Sequence, residues 1–192
     1  MDPTTKRLDD PRTMRAVAHP LRLRLLGLLR IDGPATATAL SQATGDSVPL
    51  VSYHLNQLSK HGFIEEAPDL ARDNRERWWK ASHEFTSWSS AEFLDTPERI
   101  DAAAAFNREI LRVYTESIER FVEEQQAWGR EWLEGSDLSD YALDLPPDES
   151  AALIKELHEV MARWREQSTQ RPGSEHVRTI LAVFPFKSRP VS

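Results

Sequence analysis

Apolar side chains recur at helical spacing through most of the first 61 residues. Met14, Val17, Ala18 and Leu21 make a short stripe that ends near His19-Pro20, because proline disfavours helix in the residue before it. Proline is welcome in a first helical turn, so Pro20 opens the next helix, whose stripe is Leu21, Leu25, Leu28 and Leu29. Gly33-Pro34 stops it. Thr36 is suited to cap a third, short helix, and Gly45 to close it. Its inward positions Ala37, Leu40, Ser41 and Thr44 are small enough for close helix packing. A fourth helix is expected from Ser47 to about His61, burying Val48, Val51, Leu55 and Leu58 and ending at Gly62. Phe63 to Ala67 and Trp78 to Ala81 then read as paired strands. The charged stretch Pro68–Arg77 between them makes a long hairpin tip.

The pattern changes beyond this point. Thr96-Pro97-Glu98 combines a cap, a first-turn proline and a first-turn acid, and opens a helix expected to reach about Leu133. A heptad-like seam along it includes Ile100, Leu111, Tyr114, Ile118 and Phe121 as dimerisation candidates, interrupted by Asn107 and Gln125. Tyr141 to Leu145 alternates as a strand would. Pro146-Pro147-Asp148-Glu149 starts another helix with the stripe Leu153, Ile154, Leu157, Val160, Met161 and Trp164. Val177 to Phe184 reads as a buried strand. The order strand, helix, strand predicts a small βαβ unit.

The fold expected is therefore mainly α with a little β. Residues 1–10 are a loose arm, 11–82 a winged helix-turn-helix domain, and 83–192 a C-terminal part with a long dimerisation helix and the βαβ unit. The chain has 192 residues, 40% of them hydrophobic, so it can bury a core. It contains no cysteine, which excludes disulfides and thiolate metal sites. No apolar run has the length of a membrane span, and the acidic start is no secretory signal. A soluble cytoplasmic protein without membrane contact is expected.

Net charge is −7, unevenly placed. Residues 1–82 carry 12 Lys or Arg against 10 Asp or Glu, and residues 83–192 carry 12 against 21. From Pro11 to Ile31 there are five arginines and no acid, so the first part can approach a polyanion that the second should avoid. In a helix-turn-helix the second helix of the motif, here the fourth of the chain, enters the major groove. Its outward face is expected to hold Pro49, Leu50, Ser52, Tyr53, His54, Asn56 and Gln57. No carboxylate occurs from Ser47 through Ile64 to repel phosphates.

The segment Ala18-His19-Pro20-Leu21-Arg22-Leu23-Arg24-Leu25-Leu26 resembles the opening of ArsR-type winged-helix regulators. Val51-Ser52-Tyr53-His54-Leu55-Asn56-Gln57-Leu58 with Gly62-Phe63-Ile64-Glu65 looks like their recognition helix and first wing strand. The resemblance spans residues 12–82 and implies a homodimeric regulator of transcription on double-stranded DNA. It implies that Ser52, Tyr53 and His54 face DNA with Gln57 one turn on. Tyr53 stands where a basic residue is common in the family. Pro49 and Leu50 can reach thymine methyl groups, and Arg72, Arg75 and Arg77 on the hairpin would meet phosphates or the minor groove.

Many relatives of this type sense metals, and here the sequence departs from them. Residues 36–45 contain no Cys, His, Asp or Glu, and the long helix has no histidine, so no metal and no cofactor are expected. The second part has three open roles: dimerisation alone, docking of another protein, or binding a small organic effector among Trp128, Trp132, Trp164, Phe184 and Phe186. No nucleotide-binding loop or nucleophile elbow occurs, so no catalytic residue is assigned and an enzyme is not expected. The competing function is a protein-interaction module whose winged helix docks a partner protein.

Overall fold

The computed structural model of the chain describes residues 5–71, 76–169 and 171–187. It divides into two compact units, residues 1–125 and residues 126–192.

The first unit contains β1 (Thr5–Arg7), α1 (Pro11–Val17), α2 (Pro20–Ile31), β2 (Ala35–Thr36), α3 (Ala37–Thr44) and α4 (Val48–Lys60). These are followed by β3 (Ile64–Glu66), β4 (Trp78–Ala81), β5 (Phe85–Ser87) and α5 (Pro97–Glu124). The helix starts follow local chemistry. The Asp10 carboxylate accepts from the Arg12 and Thr13 amides at 3.2 and 2.9 Å and caps α1. The Thr13 hydroxyl, donating to the same carboxylate, is the main reason Asp10 stays below its ordinary pKa. The Thr36 hydroxyl accepts from the Ala39 amide and starts α3, and Thr96 does the same for α5 toward Arg99. Gly45 closes α3 at φ 78°, a conformation open to glycine without strain.

One hydrophobic core joins these elements. Leu25, Leu26 and Leu29 of α2, Leu40 of α3, and Val51, Leu55 and Leu58 of α4 meet Phe63, Ile64 and Trp79 from the strands. Ala103 and Phe106 of α5 close the same cluster from the other side, with Phe93 beside them. The strands form a three-stranded antiparallel sheet in the order β2-β4-β3, with Ile64 opposite Ala81 and Glu66 opposite Trp79. The two residues of β2 add an edge that sequence periodicity is too short to announce. The period-two reading of Trp78-Trp79 holds, since Trp79 is buried and Trp78 only partly covered.

Two expectations about the first unit are corrected. The N-terminal segment is not a loose arm throughout, because β1 pairs in parallel with β5 and Leu8 is fully buried. A strand of three residues leaves no periodic signal; its pairing depends on Ser87, which accepts from the Leu8 amide at 2.8 Å. Nor does the long helix run to Leu133. It ends at Glu124, passes through a single 3-10 turn at Gln125–Ala127, and restarts as α6 (Arg130–Glu134) after Gly129, whose backbone is extended. Glycine weakens a helix by about 1 kcal/mol relative to alanine, and here no buried face compensates. With α5 packed on α1 and α2, the division between compact units falls far beyond residue 82.

The second unit holds α6 and α7 (Pro147–Gln167). The proline and acids at the start of α7 behave as expected. The βαβ unit does not form: Tyr141–Leu145 and Val177–Phe184 are not strands. Alternation of residue types specifies which side a strand would present, but a strand exists only when a neighbour pairs its backbone. None of the unit's described residues is buried, so its apolar side chains provide no such scaffold.

Truncating a side chain at the centre of the shared core tests this architecture. Leu55→Ala should lower the unfolding free energy by about 2–5 kcal/mol, read from the shift of the urea midpoint.

Candidate nucleic-acid interface

The turn between α3 and α4 is only three residues, Gly45-Asp46-Ser47, and it is tied on both sides. The Gly45 amide donates to the Ser41 carbonyl at 2.9 Å, and the Ser41 hydroxyl donates to the Asp46 carbonyl at 2.5 Å. Ser47 takes the N-cap position of α4 with extended backbone, although its hydroxyl makes no capping bond. The result is two helices locked in a fixed mutual orientation, with the N-terminal half of α4 projecting.

α4 buries Val51, His54, Leu55 and Leu58. This corrects the expected inner face at two places. Val48 is exposed, and His54, expected outward, is only 5% exposed. Positions 51, 54, 55 and 58 are one helical stripe by spacing, but a titratable side chain at 54 reads as solvent-facing until its partner is known. That partner is His19, whose ring lies 4.3 Å from the ring of His54, centroid to centroid. His19 is itself the N-cap of α2, its Nδ1 accepting from the Leu21 amide at 3.2 Å, so its neutral form carries the proton on Nε2. His54 thus joins the recognition helix to the α1–α2 corner and does not point at a groove.

What remains outward on α4 is Pro49, Leu50, Tyr53 and Asn56, with Ser52 and Gln57 half-covered. Tyr53 is 57% exposed and rests edge-on against His54, with ring centroids 5.1 Å apart. The Asn56 amide donates to the Ser52 carbonyl at 2.9 Å, leaving its oxygen for a neighbour. The surface offers a phenol, a hydroxyl, two carboxamides and an apolar tip, with no carboxylate of its own.

The hairpin arginines divide differently. Arg72 and Arg75 lie outside the described residues. Arg77 is held in place: it pairs with Glu66, stacks over Trp79 at 4.2 Å, and donates to the Asn56 oxygen at 3.3 Å. It therefore connects the wing to α4, with half of its side chain exposed. Residue types alone could not find this bridge. The signal lies in the register, because Glu66 faces Trp79 across the sheet. Elsewhere the basic run is drawn into structure. Arg15 pairs with Glu98 at 2.8 Å, and Arg30 donates to the His83 carbonyl and the Thr86 hydroxyl; burial pushes Arg30 down to about 10.

A cavity of about 320 Å³ opens beside the histidine pair, lined by Arg24 of α2, Asp46 of the α3–α4 turn, Leu50 of α4 and Glu116 of α5. The aromatics expected around an effector do not converge. Trp128 and Trp132 meet edge-on, while Trp164, Phe184 and Phe186 are largely exposed. Among the described residues, no group of three or more His, Asp or Glu is placed to hold a metal ion, and no helix is long and apolar enough to cross a membrane.

Residues 17–67, spanning α2 to the first wing strand, match the family model described as a helix-turn-helix domain. Within this segment α3, the three-residue turn and α4 have the arrangement of a helix-turn-helix. The resemblance to ArsR-type winged-helix regulators agrees with that match, and β3 and β4 form the wing. Among solved structures, the chain is similar to a homodimeric winged helix-turn-helix DNA-binding domain from Mycobacterium bovis, a possible ArsR-family transcriptional regulator. Identity there is 23%, over 55% of this chain and 76% of that one, with a TM-score of 0.34. It is also similar to a transcriptional regulator from Thermotoga maritima, at 14% identity over 80% of each chain and a TM-score of 0.30. No curated protein matches the chain.

The electrostatics of its histidines set a pH dependence. Burial, then the Arg22 charge, lowers His19; burial, then His19 and Arg22, lowers His54. Burial is also the first cause of the lowered His61 and His83. In each case the unfolded chain binds the proton more readily, so the stability these groups carry is present above about pH 6.5 and is lost as pH falls through that value. Unfolding free energy measured by urea should fall between pH 7 and pH 5, and His54→Gln should make that fall shallower.

Proposed function

We propose that the protein is a homodimeric, sequence-specific DNA-binding transcriptional repressor acting on an imperfect palindrome. The observation that carries this reading is the exposed face of α4. It is anchored rigidly from behind, free of carboxylates, and furnished with hydrogen-bonding groups and apolar tips suited to base edges. Tyr53, Ser52 and Gln57 would read bases, with Pro49 and Leu50 against thymine methyl groups. Arg72 and Arg75 would supply phosphate contacts, and Arg77 would set the wing against α4 while offering its exposed edge to the backbone. His54 acts as a positioning residue, holding α4 through His19.

Dimerisation is assigned to α5. Its buried side, Ala102, Ala103 and Phe106, faces the helix-turn-helix domain, whereas Leu111 is 60% exposed and Ile100 is also open. With Tyr114, Ile118 and Phe121, they leave an apolar face for a second copy. Two recognition helices about 34 Å apart would then meet successive major grooves. An effector acting directly on α4 has its nearest seat in the cavity beside His19, which touches α2, α4 and α5 at once.

Titration into DNA from the gene's own upstream region, against scrambled DNA, tests the function. Contacts to about six phosphates should give a slope near −5 for log K against log salt. Tyr53→Ala should weaken specific binding by about 1–3 kcal/mol and leave binding to scrambled DNA nearly unchanged. Uniform loss on both DNAs would remove Tyr53 from base reading. Absence of binding to any DNA at low salt would favour a domain that docks a partner protein. Leu111→Asp should convert the dimer to a monomer in sedimentation.

A further inference from the structure

The second unit carries an apolar helix that nothing in the described chain buries. α7 spans 21 residues, and its stripe of Leu153, Leu157, Val160 and Trp164, widened by Ile154 and Met161, contains no buried residue. Trp164 is 66% exposed. Most of the stability of an amphipathic helix in a protein comes from packing its apolar face, so α7 gains from covering that stripe.

The spacing identifies what covers it. With Leu157 and Trp164 at heptad position a, Leu153 and Val160 fall at d, Ile154 and Met161 at e, and Glu149, Glu156 and Arg163 at g. A parallel pair would set the carboxylates of Glu149 and Glu156 against the apolar Ile154 and Met161 of the other copy. An antiparallel pair instead places Leu157 across from Val160 and Leu153 across from Trp164. It also places Ile154 across from Met161, and brings Glu156 to Arg163 twice by symmetry. Charge and apolar complementarity thus coincide in one orientation. We propose that α7 is a self-association surface that pairs antiparallel with α7 of a second copy of this chain. This goes beyond the assignment of α5 and does not depend on it.

The chain has no cysteine, so introduced thiols are the only ones available to cross-link. Full-length Leu153→Cys and Trp164→Cys chains, each already exposed at the substituted position or nearly so, are co-expressed and oxidised with diamide. Intact mass is then measured. The expected product is a covalent heterodimer carrying one of each substitution, with little cross-linking when either variant is alone. Adding Glu156→Arg to both chains should reduce the heterodimer several-fold, and adding Arg163→Glu as well should restore it. Cross-linking of Leu153→Cys with itself would overturn the antiparallel orientation. Insensitivity to the charge reversals would overturn the register. A chain that sediments as a dimer yet yields no heterodimer would overturn pairing through α7 while leaving α5 association intact, and circular dichroism of the variants separates either result from loss of the helix.

Discussion

The arrangement depends on the burial of one face of α4. Val51, Leu55 and Leu58 sink into a cluster that draws on α2, α3, the wing strands and α5, so α4 has no freedom to roll or slide without emptying that core. Interiors are packed densely enough that such a shift opens a void or forces an overlap. Because the inner face is committed, the outer face is determined by the helical period, and the side chains from Pro49 to Gln57 acquire a fixed orientation. Preorganisation of this kind matters for groove recognition, where hydrogen bonds discriminate only when donors and acceptors are held in place.

Polar side chains refine what the apolar core sets up. The tilted ring pair of His19 and His54 couples the beginning of α2 to the middle of α4, and burial lowers the pKa of both rings. Arg77 fastens the wing to the same helix through Glu66, Trp79 and Asn56. Asn107, which interrupts the apolar seam of α5, accepts from the Trp88 indole at 3.0 Å and donates to the Ser90 hydroxyl. A residue that looks like a flaw in a dimer seam is here a tie to the connecting segment. Several groups with an obvious DNA-facing chemistry are therefore occupied in holding the domain together.

The two compact units differ in how their apolar residues are used. In the first, Leu25, Leu26, Leu29, Leu55, Leu58, Phe63, Phe93 and Phe106 converge on one buried cluster. In the second, a helix with an equally regular stripe has no described partner, and the two flanking segments expected as strands do not become strands. Local amphipathicity is thus present in both, and only the first has a complementary set of surfaces within the same chain.

Much of the first unit was legible from the sequence alone. The caps at Thr36 and Thr96, the glycine at 45, the proline starts at 20 and 97, and the buried stripe through Val51, Leu55 and Leu58 are local properties, determined by backbone sterics and by hydrogen bonds spanning three or four residues. The absence of carboxylates on α4 is likewise a fact of sequence, and so is the candidate reading face from Pro49 to Tyr53. Tertiary structure alone decided that His54 turns inward, that Arg30 and Arg77 are structural ties, that Thr5–Arg7 finds a strand partner at residues 85–87, and that the two segments expected as strands near residues 141–145 and 177–184 find none. Each of those outcomes depends on a residue far away in the chain, and a polar group or a short strand takes its place only when that distant partner completes its hydrogen bonds.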